Sequence, residues 1–355
     1  MGVNINTVEL YRILEITPAE QNIMLVGRHG IGKSRIINDY FTERNHKVVS
    51  LFLGQMSDPG DIIGLPALSE GSNRTEFRLP FWFPDDNRPV VLFLDELNRA
   101  RPEILQTVMD LVLNKTLAGK RLPEGSQIIS AINEGEEYQL TDLDPALVSR
   151  FNVYHFAPTT DEWLLWASGK RLDSRVIDFI ANNPDLLDEA VNPDNGLTKT
   201  ADRRAWERVA ELIDPLTEID KTAEKTIAGI IGIPTALKFS AHIKKMTQLN
   251  AMDILQNFKK QVAQLKKAQT HELTVLNEAL FRIIETEETP EKIKKYIENV
   301  ELYVQWLVDN KRQEELAHWT TMYESAMYSK SRFKILSHSQ YIFQHVVSFI
   351  KDLQI

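Results

Sequence analysis

Apolar residues follow two different patterns along the chain. Up to about residue 156 they come in short unbroken runs: Asn22-Ile23-Met24-Leu25-Val26, then residues 47–53, 89–94 and 127–132. A run of this kind reads as a strand covered on both faces, because a half-exposed strand would alternate apolar with polar positions. Helical stretches lie between the runs, clearest at residues 102–113. The alternation predicts a parallel sheet with crossover helices. Two stretches interrupt it. Residues 64–84 carry the turn Glu70-Gly71-Ser72-Asn73 between short extended runs, and residues 115–125 carry Ala118-Gly119-Lys120 between Thr116-Leu117 and Arg121-Leu122. Both read as inserted hairpins.

From Thr160 the strand signals vanish. Residues 161–241 read as a small helical domain with turn residues at Asn192-Pro193-Asp194-Asn195-Gly196. Beyond it, Leu255, Phe258, Val262 and Leu265 repeat at helical spacing, as do Leu273, Leu276, Leu280 and Ile283. Thr289-Pro290-Glu291 reads as a helix start, with Thr as N-cap, Pro at the first helical position and an acid in the first turn. The helix it opens carries Ile293, Ile297, Val300, Val304 and Leu307. Such stripes form the core of a bundle or, less commonly, a groove for a partner.

The first apolar run leads directly into Gly27-Arg28-His29-Gly30-Ile31-Gly32-Lys33-Ser34, which fits G-x-x-x-x-G-K-[ST], the phosphate-cradling loop. Glycines let backbone N–H groups wrap phosphates. Lys33 supplies a point charge to the β and γ phosphates, and the Ser34 hydroxyl is a ligand for Mg²⁺. Arg35 to Phe41 follow as the helix whose N-terminus faces the anion. The run Val90-Val91-Leu92-Phe93-Leu94 ends in Asp95-Glu96, at the C-terminal strand end where open α/β sheets bind ligands. There Asp95 can hold Mg²⁺ through water, and Glu96 can activate the attacking water. By itself, the pair is also what an acidic helix cap would look like.

Asn133 closes the run Ile128-Ile129-Ser130-Ala131-Ile132. If that strand lies between those bearing the loop and Asp95, Asn133 faces the γ-phosphate; otherwise it is a turn residue. Arg150 ends the short amphipathic stretch Asp144-Pro145-Ala146-Leu147-Val148-Ser149 and is either a surface arginine or a guanidinium pointed at a neighbour's γ-phosphate. In Thr200-Ala201-Asp202-Arg203-Arg204-Ala205-Trp206 an arginine could close the helical domain on a nucleotide, or form a solvated face over a core tryptophan.

Composition narrows the function classes. The chain has 355 residues, enough for two or three domains, with 41 Lys and Arg against 50 Asp and Glu and a net charge of −9. That balance, without a Lys/Arg-rich block, opposes a nucleic-acid motor, since such binding neutralises phosphates. Zero cysteines exclude disulfides, thiolate catalysis and Cys-type metal sites. The first residues lack the basic and apolar regions of a signal peptide, Asn6 stands where a myristoylation signal needs Ser or Thr, and the run Ile227 to Ile233 is too short to span a bilayer. A cytoplasmic protein without membrane insertion is expected. Asn114-Lys115-Thr116-Leu117 lacks the Asp of the guanine-reading Asn-Lys-x-Asp pattern, which favours ATP over GTP.

Together these residues resemble the MoxR-type branch of the AAA+ ATPases, related to the dynein-type modules and marked by an insert in the second helix. The resemblance covers about residues 7–241. It extends beyond the loop to Gly60-Asp61-Ile62-Ile63-Gly64-Leu65-Pro66, Asp95-Glu96-Leu97-Asn98-Arg99-Ala100, the stretch 117–125 and the stretch 143–151, in that order. Two departures are His29, where Pro is usual, and Glu134, where Pro commonly follows the sensor residue. The resemblance implies an α/β P-loop NTPase (AAA+) domain with a parallel sheet and inserted hairpins at residues 1–159. It further implies an all-α lid at 160–243, leaving an all-α C-terminal extension at 244–355 that matches nothing in the family. It also implies Walker A Lys33 and Ser34, Walker B Asp95 and Glu96, sensor-1 Asn133, arginine finger Arg150 and sensor-2 Arg204. Arg204 is preferred to Arg203 because the family pattern places the arginine two residues before a frequent Trp, here Trp206. The expected activity is Mg-ATP hydrolysis in a hexameric ring that remodels a protein partner, such as one with a von Willebrand A domain. The alternatives are a nucleic-acid-associated motor and a non-hydrolysing switch or scaffold.

Overall fold

The computed structural model describes residues 2–68, 75–134, 143–189, 199–216, 218–245 and 250–345. The chain divides into two compact units, Met1–Thr159 and Thr160–Ile355.

In the first unit, strands and helices run β1 (Val3–Ile5), α1 (Thr7–Ile16), β2 (Asn22–Gly27), α2 (Lys33–Thr42), β3 (Lys47–Phe52), α3 (Gly60–Ile63), β4 (Leu65–Leu68), β5 (Thr75–Arg78), β6 (Val90–Asp95), α4 (Pro102–Asn114), β7 (Thr116–Leu117), β8 (Lys120–Arg121), β9 (Gln127–Asn133), α5 (Pro145–Val148) and β10 (Phe151–Phe156). Six strands form one sheet in the order β1-β10-β2-β9-β6-β3, parallel throughout. β2 and β6 are buried at every position. Their alternating side chains feed two cores. Ile23, Leu25, Val91 and Phe93 join Leu10, Ile37 and Phe41 of α1 and α2 on one face. Met24, Val26, Leu92 and Leu94 join Ile104, Val108 and Leu111 of α4 on the other. Both faces are therefore dry, which is why the strands read as unbroken apolar runs.

The expected hairpins are present as the antiparallel pairs β4·β5 and β7·β8. The turn at 70–73 and the turn residues at 192–196 lie outside the described residues. The sheet gains an edge strand, β1, that the sequence pattern did not announce. The order also places β9 between β2 and β6, so Gly27, Asn133 and Asp95 end three adjacent strands at the same edge.

The second unit is helical: α6 (Thr160–Gly169), α7 (Ser174–Asn182), α8 (Arg203–Ile213), α9 (Lys221–Ile231), α10 (Ile233–Lys245), α11 (Ala251–Leu265), α12 (Thr270–Thr286), α13 (Pro290–Asp309), α14 (Gln313–Glu324) and α15 (Ser329–His338). Buried residues of α6, α7, α8, α9 and α10 share one core around Phe179, Trp206 and Phe239. Residues 251–342 share another, and Leu165 of α6 packs against it. The helix start expected at Thr289-Pro290-Glu291 is present, and two local details go beyond the expectations. Thr289 sits at the N-cap of α13, but its side chain makes no capping bond; Glu287 Oε1 instead accepts the backbone N–H of Thr289 at 3.0 Å. α11 is not continuous, because Asn257 has non-helical angles. Asn299 of α13 takes up the released groups: its Oδ1 accepts from Phe258 N at 3.0 Å, and its Nδ2 donates to Leu255 O at 3.0 Å.

Candidate functional site

The loop between β2 and α2 is shaped by glycine where nothing else fits. A Cβ on Gly27 would lie 2.6 Å from the Phe156 carbonyl oxygen, while Gly30 and Gly32 hold φ of 81° and 97°. Ile31 is buried in the α1/α2 core and anchors the loop, whereas Arg28 and His29 are exposed. Gly32 is the N-cap of α2 and offers no side-chain cap, so no side chain at that position occupies the first-turn N–H groups.

Lys33 opens α2 and is 6% exposed. Its Nζ donates to Gly27 O at 2.7 Å, Arg28 O at 2.9 Å and Asn133 Oδ1 at 2.9 Å. Burial pulls its pKa from 10.5 down to about 8, against opposing pulls from Asp95, Glu134 and Glu96. A buried cation held only by neutral acceptors is a strong attractor for an anion.

Next to it, Ser34 Oγ donates to Asp95 Oδ2 at 2.6 Å, and Asp95 Oδ1 accepts from Glu96 N at 2.9 Å. Among the described residues, no group of three or more His, Cys, Asp or Glu surrounds a common point. One carboxylate beside one hydroxyl is the donor set that fits Mg²⁺, which keeps much of its water and takes further ligands from phosphate.

Asn133 is 5% exposed, and its position is fixed by Asn98, which is 4% exposed. Asn98 Nδ2 donates to Asn133 O at 2.9 Å, and Asn98 Oδ1 accepts from Asn133 N at 3.4 Å. Glu96 adopts φ 56° and ψ 39° and accepts from Arg99 Nη1 at 2.7 Å. Glu134 Oε1 lies 2.9 Å from His155 Nδ1.

The structure thus brings Lys33, Ser34, Asp95, Glu96 and Asn133 to one end of the sheet. It does not bring Arg150 there. Arg150 is exposed, and its carbonyl accepts from Asn22 Nδ2 at 3.2 Å, at the start of β2 rather than its end. Arg203 and Arg204 belong to the second unit. Arg203 is buried, with its Nε 2.9 Å from Asp188 Oδ2, while Arg204 is exposed. Trp206 is fully buried and donates to Leu186 O at 2.8 Å. Sequence reasoning gave no role to Asn98, Arg99, Gly54 or His155. The Glu96-to-Arg99 spacing signals an ion pair across one turn, but the contacts of Asn98, Gly54 and His155 depend on strand order.

Residues 22–151 match the family model described as AAA domain (dynein-related subfamily). Over 142 residues the chain is 29% identical to "Putative chaperone BssE" of Thauera aromatica, covering 37% of this chain and 49% of that protein. The match therefore spans about half the length of that relative. Among solved structures, NtrX from Brucella abortus in complex with ADP is similar at TM-score 0.39 and 15% identity, covering 83% of this chain and 65% of that one. The Thermotoga maritima RuvB Holliday junction branch migration motor is similar at TM-score 0.36 and 14% identity, covering 77% and 80%.

Proposed function

We propose that this chain, with a dynein-related AAA domain at residues 22–151, is an Mg-ATP-dependent ATPase of the MoxR type. It works in the cytoplasm as a hexameric ring and couples hydrolysis to the chaperone-like remodelling of a protein partner, for which a von Willebrand A domain protein is the leading candidate. The observation that carries the reading is the convergence of a buried lysine, a hydroxyl–carboxylate pair and a buried amide on one sheet end, around a glycine loop and an uncapped helix start. The chaperone name of the Thauera aromatica relative supports a protein partner over a nucleic acid, as does the net charge of −9.

In this reading, backbone N–H groups of residues 27–34 cradle the phosphates, and Lys33 exchanges its carbonyl partners for the β and γ oxygens. Ser34 and Asp95 are the residues that would hold Mg²⁺, which when bound neutralises charge on the β and γ oxygens. Glu96 orients and deprotonates the attacking water, and Asn133, fixed by Asn98, positions it. Arg150 acts across a subunit boundary, and Arg204 closes the helical lid on the nucleotide.

The test is Glu96→Gln. It should bind a fluorescent ATP analogue with wild-type affinity and release phosphate at least a hundred-fold more slowly, the factor about 10²–10⁴ typical of a general base. Wild-type phosphate release would remove Glu96 from the chemistry.

A further inference from the structure

We infer that Glu134 and His155 form a strap across the strand that carries the phosphate loop, and that both are positioning residues for the root of that loop. The inference rests on the reading of residues 27–34 as a nucleotide cradle.

The sheet order sets the geometry. β2 lies between β10 and β9, with His155 paired to Val26 and Asn133 paired to Gly27. Glu134 follows Asn133 directly, so Glu134 and His155 stand on the two strands that flank the end of β2. Those strands do not touch each other; two strand spacings, about 9–10 Å, separate them. The side chains close the gap, with Glu134 Oε1 2.9 Å from His155 Nδ1. A carboxylate only accepts, so Nδ1 carries the shared proton. Gly2, just before β1, backs the imidazole: a Cβ there would collide with the ring.

The backbone ties the same residues to Gly27. Glu134 N donates to Gly27 O at 3.2 Å, and that carbonyl also accepts from Lys33 Nζ at 2.7 Å. On the other side, a Cβ on Gly27 would lie 2.6 Å from the carbonyl oxygen of Phe156, the residue after His155. Gly27 is bracketed by Glu134 and Phe156, and the strap joins the two brackets. Because Gly27 O and Arg28 O aim the Lys33 ammonium, a shift of the root moves the cation. A proline at position 134, common in the related ATPases, has no N–H for Gly27 O and no acceptor for His155. The strap therefore belongs to this chain's departure from that pattern. It also brings two effects of opposite sign. A carboxylate close enough to act on Lys33 repels an incoming phosphate, whereas a fixed loop root spares the nucleotide the cost of ordering it.

The experiment begins with amide hydrogen exchange of the nucleotide-free full chain. Glu134→Ala and His155→Ala should each speed exchange at residues 27–33 about two- to five-fold, the factor carried by a pair between partly exposed groups. The double variant should exchange no faster than either single one, because both remove the same contact. Glu134→Gln keeps an acceptor for His155 and loses the charge, so it should exchange as wild type does. A fluorescent ATP analogue should then bind about two- to five-fold more weakly to both alanine variants. KM for ATP should rise by the same factor while kcat moves less. Glu134→Gln should bind at least as tightly as wild type, since it keeps the placement and sheds the repulsion. An analogue that binds more tightly to Glu134→Ala would show that charge alone acts, and would overturn the inference. So would single-variant effects that multiply in the double variant. Unchanged exchange in both alanine variants, in a protein that binds the analogue, sinks the strap alone. A wild type that does not bind the analogue sinks the nucleotide-cradle reading, whatever the exchange shows.

Discussion

Lys33 should make the ligand-free protein less stable at neutral pH than in mild alkali, and the size of the effect follows from its surroundings. Burial lowers its pKa from 10.5 to about 8. That displacement corresponds to about 3 kcal/mol by which the fold disfavours the charged ammonium. Because the folded value is the lower one, the unfolded chain holds the proton more tightly. The penalty is complete below about pH 8 and fades as the pH rises toward 10.5. Between pH 7 and pH 9 the linkage relation returns about 1 kcal/mol of it. Lys33→Met keeps the length of the side chain and removes the charge, but leaves Gly27 O, Arg28 O and Asn133 Oδ1 without their donor. At about 1 kcal/mol each, those losses offset much of the relief at pH 7. The difference at one pH is therefore a poor test, and the change with pH is a good one. Calorimetric unfolding of nucleotide-free wild type and Lys33→Met at pH 7, 8 and 9 should show wild type gaining about 1 kcal/mol on the variant across the range. A stability difference that stays constant with pH would refute the idea that the loop stores an unfavourable buried charge. Addition of Mg-ATP should stabilise wild type and leave Lys33→Met unmoved.

Three other outcomes are expected. Arg150→Ala should bind ATP as wild type does yet lose turnover by about 10³-fold or more, and mixing it with Lys33→Ala should restore part of the activity, measured as phosphate release from the mixture. Arg203→Ala should lower the stability of the second unit by about 2 kcal/mol, because it removes a buried guanidinium and its 2.9 Å ion pair with Asp188; Arg204→Ala should leave unfolding unchanged and slow turnover instead. Asn98→Ala should cost about 1–3 kcal/mol in denaturant unfolding, since the buried N–H and carbonyl of Asn133 lose their partners, and should reduce kcat more than it changes ATP affinity.

The sheet was legible where burial on both faces left an unbroken apolar run, as in β2, β6 and β9. β1 was not, because a three-residue edge strand with Val3 mostly exposed carries no periodicity to read. The loop was legible as a local motif of fixed spacing. Asn133 was legible only conditionally, because its value depends on β9 lying between β2 and β6, a matter of strand order that no local pattern encodes. The same holds for Gly54: its closeness to Glu96 arises from the pairing of β3 with β6 in register Phe52↔Asp95. In the helical unit the stripes identified the core residues, yet the break at Asn257 escaped. The apolar spacing runs through it undisturbed, and the compensating amide, Asn299, is distant in sequence.

The placement of Arg150 bears on how much of a site a single chain holds. Asn22, whose amide meets the Arg150 carbonyl, begins β2, and Gly27 ends it next to Lys33. At about 3.3 Å per residue, the strand separates the two ends by about 16 Å. An arginine side chain falls far short of that, and the packed strand β10 fixes the backbone from which it projects, with Phe151 paired to Asn22. If Arg150 serves a phosphate, it serves one held by another copy of the chain. The loop end of the sheet supplies the cradle, the lysine and the hydroxyl–carboxylate pair, while the opposite end presents an exposed guanidinium. In the ring proposed above, the loop end of one copy would meet the Arg150 end of the next. Such head-to-tail contacts close into rings when the rotation between copies allows it, and each closure would complete one site. The hexameric ring proposed above is the closed form of that arrangement, and this geometry is why the mixing of Arg150→Ala with Lys33→Ala probes assembly and chemistry together.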